Sequence, residues 1–179
     1  MRRPLFHFDA EKAVNAILWI AKRVSDPTFH RISKLMYFAD KAHLQKYGRL
    51  ICGDTYVAMK HGPVPSEIYD MLKAVRGDGF SGYLSGTESL FAVEAGKNVV
   101  PLRDANPEVF SESDIECLNE AVEKYGHLSF QELTNESHDE AWKAVDDNDV
   151  MDVEQIIATL PDGEALLEHL RDSAIVQQK

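Results

Sequence analysis

The chain reads as an α+β protein, mostly α-helical: a compact helical domain with a small antiparallel β-sheet or hairpin and additional C-terminal helices. Three observations predict this. Apolar residues recur at helical spacing in a succession of segments, each bounded by a capping side chain or by Gly or Pro. β-Branched and aromatic runs are confined to short stretches at residues 55–59, 89–93 and 98–102. The 179 residues, 44% hydrophobic with charge interspersed, are enough to bury one core.

Residues 1–8 read as a poorly ordered or strand-like lead with Arg2 and Arg3 in solvent. Asp9 is placed to cap a first helix whose apolar stripe is Ala13, Val14, Ile17, Leu18, Ala21 and Val24. Ser25-Asp26-Pro27 ends it, and Thr28 caps a second helix that turns Ile32, Leu35, Met36, Ala39 and Ala42 inward. Gly48, after Tyr47, supplies the left-handed residue that closes this helix. The short connection predicts antiparallel packing of the two. A strand over residues 55–59 runs into Lys60-His61-Gly62-Pro63-Val64-Pro65, a rigid corner. Gly62 allows the change of direction, and the two prolines fix φ and hold the residues before them extended. A third helix then opens at Pro65 or Ser66, buries Ile68, Met71, Leu72 and Val75, and ends in Arg76-Gly77-Asp78-Gly79.

Residues 77–86 read as a mobile Gly-rich surface loop. The β-prone runs on either side of Glu94-Ala95-Gly96-Lys97 make a hairpin, expected to join the 55–59 strand in one antiparallel sheet with Pro101 at an edge. After a linker at residues 104–107, Ser113 and Glu116 are spaced as a capping box on a fourth helix. Its apolar face is Ile115, Leu118, Ala121 and Val122, and Tyr125-Gly126 stops it. Ser129 and Glu132 repeat the box on a short fifth helix that carries Phe130 and Leu133 and runs out near His138. Residues 140–145 add a further turn or two with Trp142 inward. Past the acidic loop Asp146-Asp147-Asn148-Asp149, one helix is built on Val153, Ile156, Ile157 and Leu160, and a last one on Leu166, Leu167, Leu170 and Ile175.

Two blocks carry more than secondary structure. The first is LMYFADKAHLQKYG from Leu35, followed by DTYVAMKHGPVPSEIYDML from Asp54; the second is LNEAVEKYGHLSFQELTNESHDEAW from Leu118. The order helix, strand, rigid corner, helix, then a closing helix, a Tyr-Gly turn and a His-to-Trp segment, resembles the Panacea domain of the SocA-like antitoxin family. That resemblance implies a domain over residues 1–145; past it, the apolar spacing of residues 146–179 reads as a C-terminal helical extension, packed on the same domain or presenting its apolar stripe to a partner. It also implies an antitoxin that neutralises its cognate toxin by direct protein–protein binding, the toxin being encoded by the adjacent gene. Some members of the family present the toxin to a protease as adaptors, which is the alternative role.

Charge fits a protein partner. The net charge of −11 divides unevenly: residues 1–60 carry +6 and residues 61–179 carry −17. So acidic a surface repels phosphate backbones and steers a toxin with a basic surface, so nucleic acid is not expected to bind directly. No apolar run approaches the roughly 20 residues of a membrane span, and the N-terminal apolar run is broken by Asn15, so a cytoplasmic protein is expected. Cys52 and Cys117 lack CxxC spacing and read as reduced thiols. Gly77, Gly79 and Gly82 match GxGxxG, but behind a helix rather than a strand, so no cofactor is expected.

No metal site and no catalytic residue are assigned: His61, His127 and His138 lack ligand spacing, and a nucleophile motif is missing. A small hydrolase using His61 and His138 with nearby carboxylates is the reading from a different class. The residues singled out for toxin contact are Tyr37 and His43 on the second helix, Lys60, His61 and Pro63 at the corner, and His138 and Trp142, which share a face if their segment is helical.

Overall fold

The computed structural model describes residues 6–84 and 90–176. The start of the expected N-terminal lead and the end of the Gly-rich loop lie outside them. Helix α1 (Ala10–Arg23) begins where Asp9 accepts a hydrogen bond from Lys12 N at 3.0 Å. Helix α2 (Phe29–Tyr47) begins where Thr28 Oγ1 accepts from Arg31 N at 3.1 Å, and ends at Gly48, whose φ of 75° lets its N–H reach the carbonyls of His43 and Leu44.

Helix α2 is the centre of the fold. Helices α3 (Ser66–Arg76), α4 (Glu112–Tyr125), α5 (Phe130–Ser137) and α7 (Val153–Ala158) all pack against it. A helix covered on so many sides must bury polar positions too, and α2 buries Arg31, Ser33, Lys34, Asp40 and His43 beside Leu35, Met36, Tyr37 and Leu44. Each of those polar groups needs a partner inside the protein. Arg31, for example, donates to the carbonyls of Asp26, Gly126 and Leu128, tying the start of α2 to the turn after α4.

The sheet differs from expectation. Strand β1 (Tyr56–Met59) folds straight back through Lys60 and His61 onto β2 (Gly62–Pro65), pairing Met59 with Gly62 and Tyr56 with Pro65. Its other edge takes β5 (Val150–Met151), with Tyr56 opposite Met151. The sheet order is therefore β2-β1-β5, and the corner is itself a strand. Pro63 and Pro65 lack an N–H, which suits the edge position of β2. Strands β3 (Phe91–Glu94) and β4 (Asn98–Pro101) do form the expected hairpin, but as a separate two-stranded sheet. It docks on the connection between α1 and α2 through Phe29 N to Lys97 O and Val99 N to Pro27 O, both 2.9 Å. A two-residue turn closes β1 onto β2 at small entropic cost, and the second edge of β1, the one left for the hairpin, is taken by β5.

Two caps also moved. Helix α3 has no side-chain cap from Pro65; instead Asp54, twelve residues before the helix starts, accepts from Glu67 N and Ile68 N at 3.0 Å each. Burial pushes the Asp54 carboxyl up to about 6 despite these backbone donors. The capping box of α4 is Ser111 with Asp114, rather than Ser113 with Glu116. Helix α5 uses the expected Ser129 and Glu132. Beyond α6 (Glu140–Lys143) and β5, α7 and α8 (Gly163–Val176) place Ile156, Ile157, Leu160 and Leu167 in the same core as α1 and α2. Among the described residues the fold is α+β and mostly helical, and no helix is long and apolar enough to cross a membrane.

Candidate partner-binding corner

The turn between β1 and β2 puts Lys60 and His61 in solvent. What lies beneath is unusually well fixed. Lys34 of α2 rises under the turn, 1% exposed, and donates from Nζ to Pro63 O at 2.9 Å. Gly62, with φ of 110°, lies directly on it: a Cβ there would stand 2.8 Å from Lys34 Cε and collide with Ser137 Oγ. Only glycine combines that conformation with that approach.

The sides of the corner are aromatic. The Phe130 ring stacks on His30 at 3.9 Å between centroids and meets His61 edge-on at 5.2 Å, yet remains 49% exposed. On the other side Trp142 lies flat on His138, with centroids 3.7 Å apart and planes 6° apart, and donates from Nε1 to Met59 O at 2.9 Å. His138 and Trp142 do share a face, although not on one helix: His138 closes α5 and Asp139 caps α6. Asp139 also accepts from Tyr37 Oη and Lys41 Nζ, both 2.7 Å, which anchors α6 to α2.

A family model described as "Antitoxin SocA-like, Panacea domain" matches residues 32–143. The chain belongs to the SocA-like antitoxin family. No curated protein and no solved structure matches it. The matched stretch runs from the first turn of α2 to the last residue of α6, so the whole β1–β2 corner and both aromatic flanks lie inside the Panacea domain, while α1, β5, α7 and α8 lie outside it.

The sequence-predicted contact residues separate into two groups. Lys60 and His61 are exposed and His138 and Trp142 half-buried, all at the corner. Tyr37 and His43, expected at the surface, are fully buried, and Pro63 is buried with only its carbonyl engaged. Burial and the hydrogen bond to Asp139 push the Tyr37 phenol far up, so it stays protonated. His43 belongs to a polar network that joins three helices. Its Nδ1 pairs with Arg49 O at 2.8 Å and its Nε2 with Ser113 Oγ at 2.9 Å, and Asp114 Oδ1 lies 3.4 Å from Nε2. Asp114 is buried and receives Lys12 and Arg49, each at 2.9 Å.

Sequence reasoning missed Lys34, His30 and the exposure of Phe130. A lysine on the apolar face of α2 was the one available signal. Among the described residues no three of His, Cys, Asp or Glu converge as metal ligands. A groove of about 280 Å³ between α2, α4 and Leu160-Pro161 lies apart from the corner and is lined by both apolar and charged side chains.

The fit of Gly62 gives a direct test of the corner. Gly62→Ala is expected to destabilise the Panacea domain by roughly 2 kcal/mol, from positive-φ strain plus displacement of Ser137 or Lys34. Urea unfolding measures it, and a loss below about 0.5 kcal/mol would show that the corner gives way freely.

Proposed function

We propose that this chain neutralises a toxin by binding it directly, and that the corner is the contact face: Lys60, His61 and Phe130, with Trp142 and His138 beside them. One observation carries this. Within a family of antitoxins, an exposed aromatic and two basic side chains stand on a base locked by the Lys34 and Trp142 hydrogen bonds, so the backbone that presents them has little conformational entropy left to lose. The hydrolase reading lacks an assembled pair, since among the described residues no carboxylate hydrogen-bonds to His61 or His138.

Coexpression with the adjacent open reading frame, read by pull-down and by growth of the host, tests the function. A stable complex with restored growth is expected. Phe130→Ala and His61→Ala are each expected to weaken that complex tenfold or more, about 1.4 kcal/mol, while leaving the melting temperature within about 2 °C. Rescue with unchanged affinity in both variants moves the contact elsewhere on the surface. Toxicity that persists with no complex formed removes neutralisation of that neighbour.

A further inference from the structure

Among the described residues, the cations that pack around α2 are paired with acids or with several carbonyls, with one exception. Lys12 and Arg49 meet Asp114, Lys41 meets Asp139, and Arg31 meets three carbonyls with Asp26 at 3.9 Å. Lys34 has a single carbonyl, Pro63 O, for three N–H donors. Burial depresses both rings first, the side chains that add to it are basic, and the backbone of His61 and of Lys60 acts against it at His30 and His138 respectively. Arg31 and Lys34 of α2 and His61 of the turn face His30, and Lys34, His61 and Lys143 face His138. His30 Nδ1 and His138 Nε2 are buried without a hydrogen-bond partner, while His30 Nε2 is engaged by Thr134 Oγ1 at 3.0 Å. Among the described residues no Asp or Glu bonds to Lys34, His30, His61 or His138. The adjacent acid, Asp139, is committed to Tyr37, Lys41 and the N-terminus of α6. Burial keeps the His30 and His138 rings neutral, so the one charge in this cluster is that of Lys34, and in a chain with 30 Asp and Glu it has no acidic partner among the described residues and takes its counter-charge from outside.

We propose that the corner is a carboxylate-binding site, in which Lys60 and His61 contact an Asp or Glu side chain of a protein partner and Lys34 supplies the positive charge beneath, flanked by the rings of His30 and His138. This deepens the reading of the corner as the toxin-contact face. It also refines the charge argument: the acidic body steers a basic partner, whereas the corner takes an acidic group from it. Lys34 is a positioning residue that acts through the Pro63 carbonyl it holds and the Gly62 backbone that lies on it.

The site draws in protons as it fills. Burial holds the Lys34 amine at about 7, and burial together with Lys34 and His61 holds the His30 ring at about 3. A bound carboxylate favours the charged amine and so raises its pKa. Affinity is therefore full below pH 7, where Lys34 is charged with or without ligand, and falls as pH rises above 7 by at most roughly tenfold per unit.

The test uses the full chain, labelled with ¹⁵N at His and titrated at pH 6.5, 7 and 8 with amidated hexaglutamate, and with hexaglutamine as the uncharged control. Hexaglutamate is expected to shift the His61 and His138 ring nitrogens saturably, and hexaglutamine to leave them unmoved. Lys34→Met is expected to weaken binding tenfold or more and to flatten its dependence between pH 7 and 8, while Lys46→Met, on the far end of α2, changes neither. Equal shifts from both peptides, no saturable shift, or an unchanged affinity and pH profile in Lys34→Met would each overturn the site. The two readings fail separately. Peptide binding without growth rescue removes the toxin partner and keeps the site; rescue without peptide binding removes the carboxylate and keeps the antitoxin.

Discussion

Asp114→Ala is expected to lower the unfolding free energy by about 3–5 kcal/mol and the melting temperature by roughly 10 °C. Asp114 does three things from one buried position. Its Oδ2 accepts from Ser111 N at 2.9 Å to close the capping box of α4, it pairs with Lys12 of α1, and it pairs with Arg49 after α2. Its Oδ1 has no aligned hydrogen bond, so the Arg49 contact at 2.9 Å holds by charge rather than by geometry. Removing the carboxylate strands those cations and the Ser111 N–H together, and that loss, rather than the net worth of each pair, sets the magnitude. Burial pushes the carboxyl up, but Ser111 N, Lys12 and Arg49 outweigh it and hold it below the ordinary Asp value. The sign follows from that depression. The stabilisation is complete above the unfolded value near pH 4 and is lost as pH falls through the lower folded value. Asp114→Asn should remove this acid-sensitive part while keeping part of the cap. Urea unfolding between pH 2 and 7 measures both variants, and a loss under 1 kcal/mol for the Ala variant would mean the three helices are held elsewhere.

The second large effect runs the other way: Lys34→Met is expected to stabilise the fold. A lysine held at about 7 in the folded chain and at its ordinary value of 10.5 in the unfolded chain opposes folding by up to about 5 kcal/mol below pH 7. Pro63 O loses its donor, which takes back about 1–3 kcal/mol, leaving a net gain of roughly 2 kcal/mol or more at pH 6. As pH rises from 7 toward 10.5 the wild-type amine is already neutral when folded, so the gap closes by roughly 1.4 kcal/mol per pH unit. Stability curves at pH 6 and 9 read the sign directly. A variant less stable than wild type at pH 6 would show that the amine is compensated within the chain. The gain in stability also means that lost carboxylate binding in this variant cannot come from unfolding. A buried charge retained against stability is what a binding site looks like when its ligand supplies the missing partner.

Much of the fold was legible because local chemistry decided it. Asp9, Thr28, Ser129 and Gly48 act within five residues of themselves, and the helices they bound lie where the apolar spacing placed them. Lys60 and His61 could be read as exposed because a two-residue turn beside prolines leaves nowhere else for them. The candidate site was legible in part: its turn and its His138–Trp142 pair were visible, but its base was not. Phe130 occupies a position whose spacing matches that of the buried Leu133, yet the structure leaves its ring half exposed, stacked on His30 and edge-on to His61.

What the sequence determined by itself was the helical order, the caps whose donors and acceptors are near neighbours, and the family carried by the 32–143 blocks. Tertiary structure alone decided which strand pairs with β1, which residue caps α3 and α4, and which polar side chains of α2 are interior. Each of those outcomes depends on a partner far along the chain: β5 for β1, Lys12 and Arg49 for Asp114, Pro63 for Lys34. Periodicity shows that a residue faces inward. It does not show whether an acceptor waits there, and for a lysine or an aspartate that acceptor decides whether the position stabilises the fold or is held for a ligand.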